Sequence, residues 1–186
     1  MTNSSSSPRP AWPTSPAWRW AEVRAGSLVI RYRRSGTGRP VLVLRPPDQD
    51  ATALWPELVE ALAARYRLIV PELPAVNAGA VARLVGFLEG IGVEGVAVVA
   101  AHPFQLPALV LAAGDTDQIA SVVLAPAVHE AAAASGDDRV TRACVAGLPV
   151  LVVPRALASS VALPLILRFL HHPDVRAEVP GVCAAD

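Results

Sequence analysis

The sequence predicts an α/β domain, with a mostly parallel sheet of about eight strands and helices on both faces. Three observations carry this. Continuous apolar runs such as Val41-Leu42-Val43-Leu44 and Val96-Ala97-Val98-Val99-Ala100-Ala101 read as strands covered on both faces. They alternate with stretches of about ten to fifteen residues whose apolar positions repeat at helical spacing. The chain opens instead with two segments of period two, the mark of a hairpin with one wet face. Strands alternating with helices require right-handed crossovers, which lay the strands parallel and put helices on both sides.

The elements follow in order. Residues 1–16 are rich in Ser and Pro and hold little to bury, so a disordered tail is expected there and a single domain over 17–186. Residues 18–24 and 28–34, joined at Ala25-Gly26-Ser27, form the hairpin. Ser35-Gly36-Thr37-Gly38 is a turn cluster before the strand at 41–44. Arg45-Pro46-Pro47-Asp48-Gln49-Asp50 is a loop. Over 52–66, Leu54, Leu58, Leu62 and Ala63 share a helix face. Residues 67–70 are the next strand and 71–75 a loop. Residues 78–91 are helical, and Gly92 fits the stop. A strand at 95–101 leads through the Pro103 turn into a short helix ending near Ala113. Residues 119–124 are a strand, and the Ala-rich stretch 125–147 holds one helix and a loop. A strand at 149–153, a helix at 159–170 and a last strand at 175–179 complete the chain.

Composition bounds the function. The 186 residues suffice for one well-buried core. Hydrophobic residues make up 53% and charged residues 17%, which suits a buried sheet or a domain that keeps apolar surface for a partner. The net charge is zero, with no basic block, so neither nucleic acid nor an anionic membrane surface is expected as partner. Every positive side chain is an arginine, a mark of a GC-rich bacterial genome. No basic-then-apolar leader opens the chain. The apolar run at 156–167 has the length of a core helix and contains Pro164, so no membrane insertion is expected. Cys144 and Cys183 make no disulfide framework, in keeping with a reduced cytoplasmic setting.

Ligands of open α/β sheets bind at strand ends. His102 follows the apolar strand 95–101 and is a candidate general base. Arg45 and Asp48, with Asp50, lie on the loop after another central strand, where they suit polar anchoring or acid–base pairing. Each has a plainer reading beside it: a turn histidine bonded to backbone, and aspartates that simply form turns. His171 and His172 suit the dipole at a helix end, and as a metal pair they lack a third ligand. His129 reads as surface. No metal site and no cofactor is expected.

Several stretches, taken together and in order over about 18–183, resemble the α/β-hydrolase superfamily. Ser35-Gly36-Thr37-Gly38-Arg39-Pro40 precedes an apolar strand as in that family. Trp55 with Leu58, Leu62 and Ala63 is similar to its Trp-x-x-Leu…Leu-Ala helix. Pro71-Glu72-Leu73-Pro74-Ala75 resembles its Pro-Asp-Leu-Pro-Gly loop, and Pro149-Val150-Leu151-Val152-Val153 the strand before its acidic residue. The resemblance then implies where the family's machinery falls. Its nucleophile position is Pro103, which has no hydroxyl and a φ fixed near −65°, unlike the strained elbow of a Gly-x-Ser-x-Gly motif. The motif's glycines fall on Ala101 and Gln105. The acidic position falls near Leu157 and the terminal histidine position at Cys183. The first oxyanion donor falls on Pro47, after Arg45-Pro46, which leaves the Phe104 N–H as a possible donor. Glu72 takes a position that is generally structural. Cys183 is a thiol beside the lost histidine position, reactive if a base adjoins it and otherwise inert. About twenty residues separate the sixth and seventh strands, so no lid domain is expected.

Trp55, Phe104, Leu106 and Leu157, with Gln105, would line the pocket of such a fold, or fill the space left by an absent triad. The expected function is therefore a non-hydrolytic protein that binds a small apolar ligand or a protein partner, as a homo- or hetero-oligomer. The alternative is a cofactor-independent enzyme of cyclase, isomerase or lyase type in bacterial specialised metabolism, with His102, Arg45 and Asp48 or Asp50 at work in the pocket.

Overall fold

A computed structural model describes residues 17–45, 56–114, 118–125, 148–153, 159–172 and 182–183. The hairpin forms as its alternation requires: β1 (Arg19–Ala25) and β2 (Leu28–Ser35) pair antiparallel, with Arg19 opposite Arg34 and Ala25 opposite Leu28. Period two turns Val23, Ala25, Ile30 and Tyr32 toward the core. The other face carries Trp20, Glu22 and Arg31, where the Arg31 guanidinium lies 4.8 Å above the Trp20 ring.

The apolar runs build the middle of the sheet. β3 (Pro40–Leu44) is parallel to β4 (Arg67–Pro71) on one side and to β5 (Val96–Ala101) on the other. β6 (Ile119–Ala125) and β7 (Val150–Val152) continue the parallel set. β2 joins β4 antiparallel, and β8 (Val182–Cys183) closes the far side antiparallel to β7. The eight strands lie in the order β1-β2-β4-β3-β5-β6-β7-β8. From β3 the chain steps to one side to make β4, then crosses back to the other side to make β5. The strand order therefore reverses at β3, and in open α/β sheets ligands bind at such a switch point, outside the carboxyl ends of the strands.

Alternation along the strands feeds two cores. Val41 and Val43 pack with Leu58 and Leu62 of α1 (Pro56–Ala63) and with Ile166 and Phe169 of α4 (Ser159–His171). Leu42 and Leu44 join the opposite cluster, which holds Leu84, Phe87 and Leu88 of α2 (Ala80–Ile91) and Ala108 and Leu111 of α3 (Gln105–Gly114). Gly92 ends α2 as expected: at φ 60° and ψ 47° its N–H donates to the Leu88 and Glu89 carbonyls. α2 also approaches β1 closely. A Cβ at Gly90 would lie 2.6 Å from Val23 Cγ2 and 2.9 Å from the Arg24 carbonyl oxygen.

Some boundaries differ from the sequence reading. α1 stops at Ala63 rather than near Tyr66. The Tyr66 N–H still donates to the Leu62 carbonyl at 2.7 Å, but the chain must turn there to enter β4 at Arg67. The expected strand at 175–179, the helix and loop within 125–147 beyond β6, and the N-terminal tail lie outside the described residues. Among the described residues there is no lid, and no helix is long and apolar enough to cross a membrane.

Candidate functional site at the carboxyl ends of β3 and β5

Parallel register brings the strand ends to one edge. Leu44 lies beside Ala100, Ala101 beside Ala125, and Leu124 beside Val152. Arg45 and His102 follow directly on β3 and β5, the two strands that flank the reversal of order. Arg45 is only 8% exposed, a buried charge at the end of a central strand. Burial of a guanidinium is costly unless polar groups surround it, and the charge cannot be discarded by deprotonation. His102 is half-buried, with Nδ1 turned from solvent. A fixed cation and an imidazole on neighbouring strand ends are suited to holding an oxygen and moving a proton. Neither replaces a serine hydroxyl.

The turn between β5 and α3 is closed by the Phe104 N–H, which donates to the Ala101 carbonyl at 2.7 Å. The His102–Pro103 peptide is cis, and among the described residues only glycines have positive φ. The turn thus contains no left-handed residue of the kind that presents a nucleophile at an elbow. Two expectations change here. The Phe104 N–H, expected as a remaining oxyanion donor, is engaged inside the turn. The Phe104 ring, expected to line a pocket, is 1% exposed and belongs to the core between α2, α3 and the sheet. The reason is helical phase: Phe104, Ala108, Leu111 and Ala112 repeat at four, three and one residues and form the stripe by which α3 meets the sheet. Leu106 falls off that stripe and is exposed.

Gln105 stays at the site edge, but its amide has a structural task. Its Nε2 donates to the Ala125 carbonyl at 2.9 Å and ties the start of α3 to the end of β6. Sequence spacing holds no signal for this partner, because parallel register alone brings Ala125 alongside Ala101.

Cys183 is placed elsewhere. β8 runs antiparallel to β7, with Cys183 opposite Val150 and Val182 opposite Leu151. Its backbone therefore lies at the amino end of β7, and the structure does not bring it to Arg45 and His102. Pro103 sits half-buried in the turn. Glu72 follows β4 with its side chain exposed, and its backbone N–H donates to the Arg31 carbonyl at 2.8 Å. Asp48, Asp50, Trp55, His129 and Leu157, together with Pro46 and Pro47, lie outside the described residues. His171 and His172 end α4 with ring centroids 4.4 Å apart. Among the described residues no cluster of three His, Cys, Asp or Glu is placed to hold a metal.

Solved structures resemble this chain in fold. A serine hydrolase involved in carbazole degradation matches with a TM-score of 0.50 at 20% identity, over 58% of this chain and 47% of its own. A membrane phospholipase A described as a bacterial virulence factor matches with a TM-score of 0.50 at 21% identity, over 57% of this chain and 39% of its own. The chain has the α/β-hydrolase fold. At these identities the likeness is one of fold. The matched region spans less than half the length of either structure. No family profile and no curated protein sequence matches the chain. Within the α/β-hydrolase fold, the β5–turn–α3 unit is where a nucleophile elbow stands. In this chain it carries Ala101-His102-Pro103-Phe104-Gln105.

Proposed function

We propose that this α/β-hydrolase-fold chain does not cleave esters or amides through a serine nucleophile. It uses the crevice at the ends of β3 and β5 to bind a small ligand, alone or completed by a partner chain. The observation that carries this reading is the turn after β5. Pro103 stands where the fold presents its nucleophile, no residue there is left-handed, and the Phe104 N–H is spent on the Ala101 carbonyl. An oxyanion-type donor must point at the developing charge, and this one points into its own turn.

The test has two parts. A serine-reactive fluorophosphonate probe should leave the intact protein unlabelled. The Pro103→Ser variant should also stay unlabelled and fail to hydrolyse p-nitrophenyl acetate above the rate of the unaltered protein, because the hydroxyl returns without its elbow. Labelling of either protein would overturn the proposal.

A second reading is favoured by the buried charge of Arg45 beside the half-buried imidazole of His102. In it the crevice orients a single substrate and His102 moves a proton, giving a cofactor-independent cyclase, isomerase or lyase. Mass spectrometry of small molecules carried through purification identifies the ligand. His102→Ala should then abolish its turnover while sparing its binding, and unchanged turnover would remove His102 from the reaction.

A further inference from the structure

A second recess lies at the opposite edge of the sheet, by the amino ends of β3 and β4. It is an open groove of about 860 Å³. Three segments far apart in the chain wall it: Arg39 just before β3, Arg65 and Tyr66 just before β4, and the last turns of α4 with Arg168, His171 and His172. Leu163 and Leu167 of α4 supply an apolar wall. Among the described residues no carboxylate lines it.

The helix end accounts for only part of this charge. Cations in the last turn of a helix are favoured by its dipole, which explains Arg168 and the histidines. Arg39 and Arg65 belong to other elements, yet they converge on the same space. Among the described residues neither lies within ion-pair reach of a carboxylate. Burial pushes the Tyr66 phenol above its usual range, while the Arg65 and Arg39 charges pull it back. Both guanidiniums therefore act on one side chain at the groove wall. An anion seated between Arg39 and Arg65 would be attracted by both charges and would relieve what repulsion water leaves between them. The helix end does not account for Arg39 and Arg65, which the chain brings to the groove from outside α4.

We infer that this groove binds a small organic anion, a carboxylate or phosphate ester with an aromatic or alkyl body. The guanidiniums of Arg39 and Arg65 take the head group, which arginine forks match geometrically. Leu163, Leu167 and the Tyr66 ring cover the body. The site is separate from the strand-end crevice, since the length of β3 lies between Arg39 and Arg45.

Calorimetric titration of the full chain at low salt tests this with phenyl phosphate and benzoate, which separate phosphate esters from carboxylates. Benzyl alcohol and inorganic phosphate are the controls. At least one organic anion should bind, both controls should bind about tenfold or more weakly, and Arg39→Gln and Arg65→Gln should each weaken binding by about tenfold. Both arginines are exposed, so the variants should melt where the unaltered protein does. Any of three results would overturn the proposal: no binding of either anion at millimolar concentration, undiminished binding by the double variant, or equally tight binding of benzyl alcohol or inorganic phosphate.

Discussion

Tyr66 sits where the chain leaves α1 for β4, and burial disfavours its phenolate there. The Arg65 and Arg39 charges oppose that effect without cancelling it. A phenol whose pKa is raised on folding contributes stability in full below the unfolded pKa and loses it as pH rises through the folded one. Stability should therefore fall as pH climbs above about 10, the ordinary phenol value, and Tyr66→Phe should make that fall shallower. Thermal melts of both proteins between about pH 9 and 11 check this; identical slopes would remove Tyr66 as the cause. At this same scale the sequence is an incomplete guide to roles. His102 and Arg45 are visible as polar residues after apolar runs. Phe104 also looks like a pocket residue until the phase of α3 turns its ring into the core. Nothing along the chain links Arg39, Arg65 and Arg168, because only the crossovers bring them to one groove.

Elements carry their own consequences. Within a helix, glycine ordinarily costs about 1 kcal/mol relative to alanine, so Gly→Ala is ordinarily stabilising. Gly90 reverses the sign. The added Cβ would meet Val23 Cγ2 at 2.6 Å and the Arg24 carbonyl oxygen at 2.9 Å, so α2 would have to move off β1. Gly90→Ala should destabilise the protein by about 1–3 kcal/mol, read as a lower urea midpoint at unchanged slope. A raised midpoint would show that α2 is free to shift. Strongly periodic segments and those ended by a clear signal are legible from sequence: the hairpin, β3 to β6, and α2 with its stop at Gly92. Short segments are less so. β7 is shorter than the strand expected at 149–153, and β8 has two residues, too few for a period to declare itself, so that it depends on β7 for its hydrogen bonds.

The whole molecule hangs two cores on one sheet. Phe87 belongs to the core under α2 and α3, and Phe169 to the core under α1 and α4. Each change to Ala should cost about 3–5 kcal/mol, a large part of the stability of an ordinary domain. Because the same strands line both cores, either variant should still unfold in one step. Far-UV circular dichroism and tryptophan fluorescence should then share a urea midpoint, and separated midpoints would show that the two faces unfold independently. Apolar runs, helical spacing and the hairpin's alternation were enough to set the order of elements and the class of fold, since each of these depends only on neighbours along the chain. The proline in the place of a nucleophile is equally a matter of reading the chain. Which strand ends meet, where β8 pairs, which face Phe104 takes and which arginines share a groove were decided in three dimensions. Those facts depend on crossover and register, and a one-residue change in either moves side chains to a different edge or face without altering any local pattern.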